Sequence, residues 1–145
     1  MRRVWRIERT YWRKLNMYII EVLGRIFLST LFLIEGINKI FNYEGTIQYM
    51  ESFGVPGYLA IPAIILEILF PLLLIIGYHA KIAALVIAIF TIVVAIIFHT
   101  NFDDHMQFIT FFKDIAIAGG LIIIFVNGPG RFSLDYKLKL NKTNA

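Results

Sequence analysis

Four apolar runs, each long enough to cross a bilayer, follow one another with short polar breaks, over about residues 18–41, 59–76, 81–98 and 109–126. A helical crossing takes about 20 predominantly apolar residues. With 59% hydrophobic and 17% charged residues, the chain is more apolar than a soluble domain, which runs nearer to about 45–50% apolar. The predicted fold is all-α: an integral membrane four-helix bundle occupying residues 17–135 as one domain, since no Pro/Ser-rich linker divides it.

The first run is the least ordinary. Residues 21–42, EVLGRIFLSTLFLIEGINKIFN, carry Glu21, Arg25, Glu35, Asn38 and Lys39, and an ionisable group in hydrocarbon costs roughly 2.5–3.5 kcal/mol on insertion scales. At about 100° per residue, Glu21, Arg25, Glu35 and Lys39 fall within an arc of roughly 80°, so the stripe is expected to face protein or enclosed water. Glu21 with Arg25, and Glu35 with Lys39, have the i,i+4 spacing that pairs charges on neighbouring turns. The stripe reads either as local neutralisation or as part of a site.

Residues 1–16, MRRVWRIERTYWRKLN, place Val4, Trp5, Glu8, Tyr11, Trp12 and Leu15 on one helical side and Arg2, Arg6, Arg9 and Arg13 on the other. That is the pattern of a basic amphipathic segment lying in the membrane interface, or of an extension of the first span. No small-residue cleavage site follows, so it is expected to be retained. Residues 42–58 break the hydrophobicity with Gly45, Gly54, Pro56 and Gly57 and read as a loop with room for a short helix. Pro71 falls inside the second run and is expected to kink it. Residues 77–80 form a tight turn, residues 100–108 a polar loop, and residues 136–145 a basic, frayed tail.

Of the 14 Lys and Arg, 10 lie before Tyr18 or after Val126. The chain therefore offers no basic groove to a nucleic acid, and its charged ends suit anionic lipid headgroups. Lys81 at the second turn continues the basic side, whereas Glu44, Glu51, Asp103 and Asp104 occupy the other two loops. Both termini are expected to be cytoplasmic. The absence of cysteine excludes disulfides, thiol relays and iron-sulfur ligation. His99 and His105 near one loop do not make a haem or copper site, and no metal site is expected.

This orientation gathers Glu35, Lys39, Glu67, His99, Lys113 and Asp114 in the outer half, from all four spans, and leaves Arg25 as a structural charge on the inner side. Small or polar seams accompany them: Ala60, Ala63, Glu67 and Pro71; Ala84, Ala88, Thr91, Ala95 and His99; Lys113, Ala116, Gly120 and Asn127. Such seams also serve simply to pack helices in lipid. Glu67 lies about 12 Å along its helix from Leu59 with no basic neighbour in its own span. Because Pro71 cannot donate to the Glu67 carbonyl, a free acceptor and a carboxyl group coincide. Lys39, Lys113 and His99 are the donors available, and Phe98, Phe108, Phe111 and Phe112 could form an aromatic approach.

In order and spacing, Gly24-Arg25, Gly36 with Lys39, Gly54-x-Pro56, Glu67, Gly77, Phe98-His99, Lys113, Gly119-Gly120 and Gly128-Pro129-Gly130 through Ser133-Leu134-Asp135 resemble the DoxX family over residues 24–135. Glu35 stands where that family usually has a small or hydroxyl residue, and Asp114 where Asn commonly follows the lysine. The resemblance implies a four-helix protein of the prokaryotic plasma (inner) membrane associated with oxidoreductase systems. Its named relatives are subunits of a thiosulfate:quinone oxidoreductase or a terminal quinol oxidase. It further implies a quinone ligand, an oxidoreductase partner and no covalent cofactor. His99, Lys113 or Lys39 would hydrogen-bond a quinone carbonyl, and Glu67 or Asp114 would handle its proton. A non-enzymatic membrane scaffold or small transporter is the competing reading, and either accommodates an oligomer.

Overall fold

The computed structural model describes the backbone of residues 2–143 and the side chains of residues 16–143. Six α-helices and no strand occur among them: α1 (Arg2–Phe41), α2 (Tyr43–Ser52), α3 (Ala60–Ile76), α4 (Ala80–Phe98), α5 (His105–Asn127) and α6 (Leu134–Thr143), with a 3-10 turn at Gly57–Leu59. The segments Asn16–Phe41, Gly57–Ile76, Ala80–Phe98 and His105–Asn127 are long and apolar enough to cross a membrane. Residues 2–16 continue α1 without a break. The amphipathic face expected of residues 1–16 lies outside the described side chains.

The start of α5 and the C-terminal tail differ from the sequence expectation for local reasons, whereas the end of α3 falls where expected. α5 begins at His105 because Asp104 caps it, its Oδ1 accepting from Met106 N at 2.8 Å; this satisfies one of the unpaired first-turn N–H groups. The expected polar loop is correspondingly shorter. α3 ends at Gly77, whose φ of 73° closes the helix through bonds from Gly77 N to Leu73 O and Leu74 O. A side chain there would strain the left-handed turn. The tail expected to fray is helical to Thr143: Ser133 Oγ accepts from Tyr136 N at 3.3 Å, and Asp135 and Lys142 sit at the helix ends where each complements the dipole.

α1 packs chiefly on α3 and α4 chiefly on α5; the two pairs join through α3 and α4, while α1 and α5 touch only slightly. The α1–α3 approach is close at Gly36, where a β-carbon would stand 2.9 Å from Ile68 Cγ1 and 3.2 Å from Glu67 Cβ. α4 meets its neighbours with a face of small residues, Ala80, Ala83, Ala84, Ala88 and Ala95, all 0–1% exposed. In lipid, where no hydrophobic force draws helices together, such faces let backbones come near enough for dispersion to hold them. The α3 and α4 seams are as expected, but the α5 seam is rotated. Its buried residues are Asp114, Ala118 and Leu121, at i, i+4 and i+7, while Lys113, Ala116 and Asn127 are exposed.

At the end of the bundle that carries both termini, polar side chains are committed to backbone groups. Arg25, 2% exposed, donates through Nη1 to Leu74 O at 3.3 Å and Ile75 O at 3.1 Å, and through Nη2 to Phe132 O. The expected Glu21–Arg25 pair is not formed, and Glu21 is exposed. The reason is that the guanidinium fork meets the partly negative carbonyls at the end of α3, where Ile75 O has spare acceptor capacity and Leu74 O accepts a second bond beside that from Gly77 N, a site that i,i+4 proximity cannot match. Asp135 does the complementary task for α4, accepting from His79 N at 2.8 Å and Ala80 N at 2.9 Å. Lys81 Nζ donates to Val126 O near the end of α5 at 2.8 Å.

Candidate functional site

The opposite end of the bundle is built differently. There a cavity of about 890 Å³ is lined from all four spans and from α2, and its wall includes Glu35, Lys39, Glu67, His99, Lys113 and Asp114. The contact at Gly36 sets α1 against α3, so that Lys39, one turn further along, reaches Glu67. Lys39 Nζ lies 2.9 Å from Glu67 Oε1 and 2.9 Å from Oε2. Only the bond to Oε1 is well directed; Oε2 is buried in ionic contact but keeps unused acceptor capacity. Glu67 is 5% exposed. Glu35 is a looser neighbour, 3.7 Å from Lys39 and 53% exposed at its side chain. The charged stripe of the first span is thus split, with Arg25 and Lys39 turned inward and Glu21 and Glu35 at its open edge.

The second pair joins α4 to α5. His99 ends α4, its N–H bonded to Ala95 O at 3.0 Å, and its Nδ1 lies 2.9 Å from Asp114 Oδ2. His99 is therefore both a helix terminus and a polar side chain of the cavity wall. Asp114, 7% exposed, fixes the ring and favours a proton on Nδ1, leaving Nε2 for another partner. Lys113, one residue away and so about 100° around the helix, is exposed at the cavity rim and makes no ion pair among the described residues.

The aromatic wall also differs from expectation. Phe98 stacks on Tyr49 of α2 with ring centroids 5.5 Å apart and meets Phe53 edge-on at 5.2 Å. Phe108, Phe111 and Phe112 instead cluster with Phe102, at centroid distances of 4.9–6.1 Å, away from the cavity wall. They occupy helical positions beside, not on, the face of Thr110 and Asp114. Tyr49 and α2 were not among the expected site elements. The signal was present: Tyr43, Ile47 and Met50 recur at i, i+4 and i+7, the mark of a helix with one apolar side. Burial holds the Tyr49 phenol above its ordinary pKa, an effect that Gln107 beside it partly offsets. The phenol is thus a neutral donor at the cavity wall throughout the physiological range.

These features define a polytopic membrane protein: four spans, one end locked by backbone caps, and a polar chamber at the other beneath a short helix. The DoxX family model matches residues 20–100. Inner membrane protein YqjF of Escherichia coli (strain K12) is 38% identical over 114 residues, covering 79% of this chain and 88% of YqjF. Inner membrane protein YphA of the same organism is 32% identical over 124 residues, covering 81% of this chain and 89% of YphA. No solved structure gives a significant match. The chain belongs to the DoxX family and is a multi-pass protein of the plasma (inner) membrane.

Proposed function

We propose that the chamber binds the head of a quinone or quinol and that the chain serves as the membrane subunit of a quinone-linked oxidoreductase. The observation that carries this reading is the meeting of two acid–base pairs, Lys39 with Glu67 and His99 with Asp114, in one cavity. The volume suits a small-molecule site, which runs about 300–1,000 Å³. A bound quinone supplies two carbonyl acceptors and, on full reduction by a partner's two electrons, a demand for two protons. Lys39 can donate to one carbonyl while keeping Glu67 as its counter-ion. His99, its Nδ1–H held by Asp114, can donate Nε2–H to the other carbonyl when it carries its second proton and pass that proton to the reduced ring; as the neutral imidazole its Nε2 instead accepts from a quinol hydroxyl. Tyr49 and Phe98 supply a flat wall for a ring.

The scaffold reading has its own support, since both pairs are self-neutralising and would also hold α1 to α3 and α4 to α5. Titration of a short-chain benzoquinone into folded wild type, His99→Ala and Lys113→Ala separates the two. A lost hydrogen bond to a charged group corresponds to a loss of about tenfold or more, expected for His99→Ala; Lys113→Ala, at the rim, should change affinity by less than about threefold. Equal affinity in all three, or no binding, would leave the scaffold.

The orientation belongs to the same proposal, with the chamber on the outer side. Reporter fusions after Asp104 should report the exterior and fusions after Thr143 the cytoplasm. A cytoplasmic signal after Asp104 would reverse the orientation.

A further inference from the structure

The chamber has two chemically distinct sides. Its charged wall is accounted for above. Part of the remaining lining flanks the cleft between α3 and α4, and this part is apolar: Pro62 and Leu66 on α3, and Phe90, Val93 and Ile97 on α4. Near the Gly77 turn these two helices are held together by residues such as Leu74, Ala80, Ala83 and Ile87, 0–1% exposed. Away from the turn the seal is lost. Val93 and Ile97 line the cavity and yet are 45% and 37% exposed, so the cavity reaches the outer surface of the bundle through apolar side chains. In a bilayer that surface faces hydrocarbon. The opening is thus a lateral one, continuous at its inner end with Lys39, Glu67, His99 and Asp114.

We propose that this α3–α4 cleft is the entry and seat of an apolar tail, so that the ligand is a tailed, membrane-dissolved quinone and not a water-soluble ring. The inference rests on the proposed head site and adds the class of molecule and its route. A charged end and an apolar end in one cavity match an amphiphile in one orientation: the head among the ion pairs and the tail passing between Leu66 and Val93 into lipid. Adding bulk to the cleft then obstructs the tail while leaving the charged wall intact. A ring without a tail, able to reach the charged wall without the cleft, is insensitive to that obstruction.

The test uses the full chain in lipid nanodiscs, with two probes, a decyl-substituted benzoquinone and the same ring without the tail. In Val93→Trp and Ile97→Trp, overfilling the cleft should weaken the decyl probe about tenfold and the tail-less ring less than about twofold. A decyl probe carrying a diazirine at the end of its tail gives an independent reading on the unaltered protein: labelling should fall on α3 and α4 in competition with the unlabelled decyl probe. Uniform labelling, or tryptophan variants that weaken both probes alike or neither, overturns the tail route while the head site stands. If wild type binds neither probe, the head site fails and the tail route fails with it. If unlabelled phospholipid displaces the diazirine probe as well as the quinone does, the cleft is a general lipid seat and the quinone assignment is overturned.

Discussion

Arg25→Met is expected to destabilise the bundle by roughly 3–5 kcal/mol, the range for breaking one side of a buried charged network. Arg25 is 2% exposed, and its guanidinium ties three carbonyls from two distant segments, Leu74 and Ile75 at the end of α3 and Phe132 in the return loop. Removing it takes the side-chain donor from Ile75 O and Phe132 O and leaves Leu74 O with Gly77 N alone, and each unsatisfied buried acceptor costs about 1–3 kcal/mol. Arg25→Lys should recover only part of the loss, because an ammonium cannot present the planar fork that reaches both segments. Denaturant titration in one detergent, followed by helical circular dichroism, measures the difference. Wild-type stability in Arg25→Met would mean that the return loop and α3 are held by packing alone.

Lys39→Met is expected to cost nearly as much, again roughly 3–5 kcal/mol, for a different reason. Glu67 is 5% exposed, and Lys39 is the charged group at 2.9 Å from both of its oxygens. Methionine fills the space of the lysine stem but strands a carboxylate beneath it. Glu67→Gln should cost less, since the amide oxygen still accepts from Lys39. In Lys39→Met/Glu67→Gln the stranded charge is absent, so the double variant should be more stable than Lys39→Met alone. That inversion separates a charge network from simple packing: additive losses in the cycle would contradict it.

The spans and the tight turn were legible in the sequence because length, hydropathy and glycine punctuation are local properties. Lys39 was legible as one of a few donors for Glu67, since Glu67 had no basic neighbour in its own span. Arg25 was not legible in the same way. Its i,i+4 relation to Glu21 says only what lies within reach, whereas its actual acceptors, about 50 and 107 residues away in sequence, depend on where α3 ends in space. Asp135 capping α4 is hidden for the same reason. On α5 the adjacent residues Lys113 and Asp114 were both candidates, and periodicity cannot tell which of two neighbours about 100° apart turns inward; both line the chamber, and Asp114 is the one that pairs with His99 from α4. The phenylalanines show the limit of composition, since a run near one loop revealed an aromatic cluster but not which ring would line the chamber.

The most direct measurement is the quinone content of the protein purified in a mild detergent from membranes that contain quinone. Quinone approaching stoichiometry with the wild-type chain is expected, with the same content in Glu21→Gln, whose exposed side chain lies outside the chamber wall, and a large loss in folded His99→Ala. Wild-type quinone no higher than that carried by an unrelated membrane protein of similar size, or equal content in wild type and His99→Ala, would contradict the quinone site.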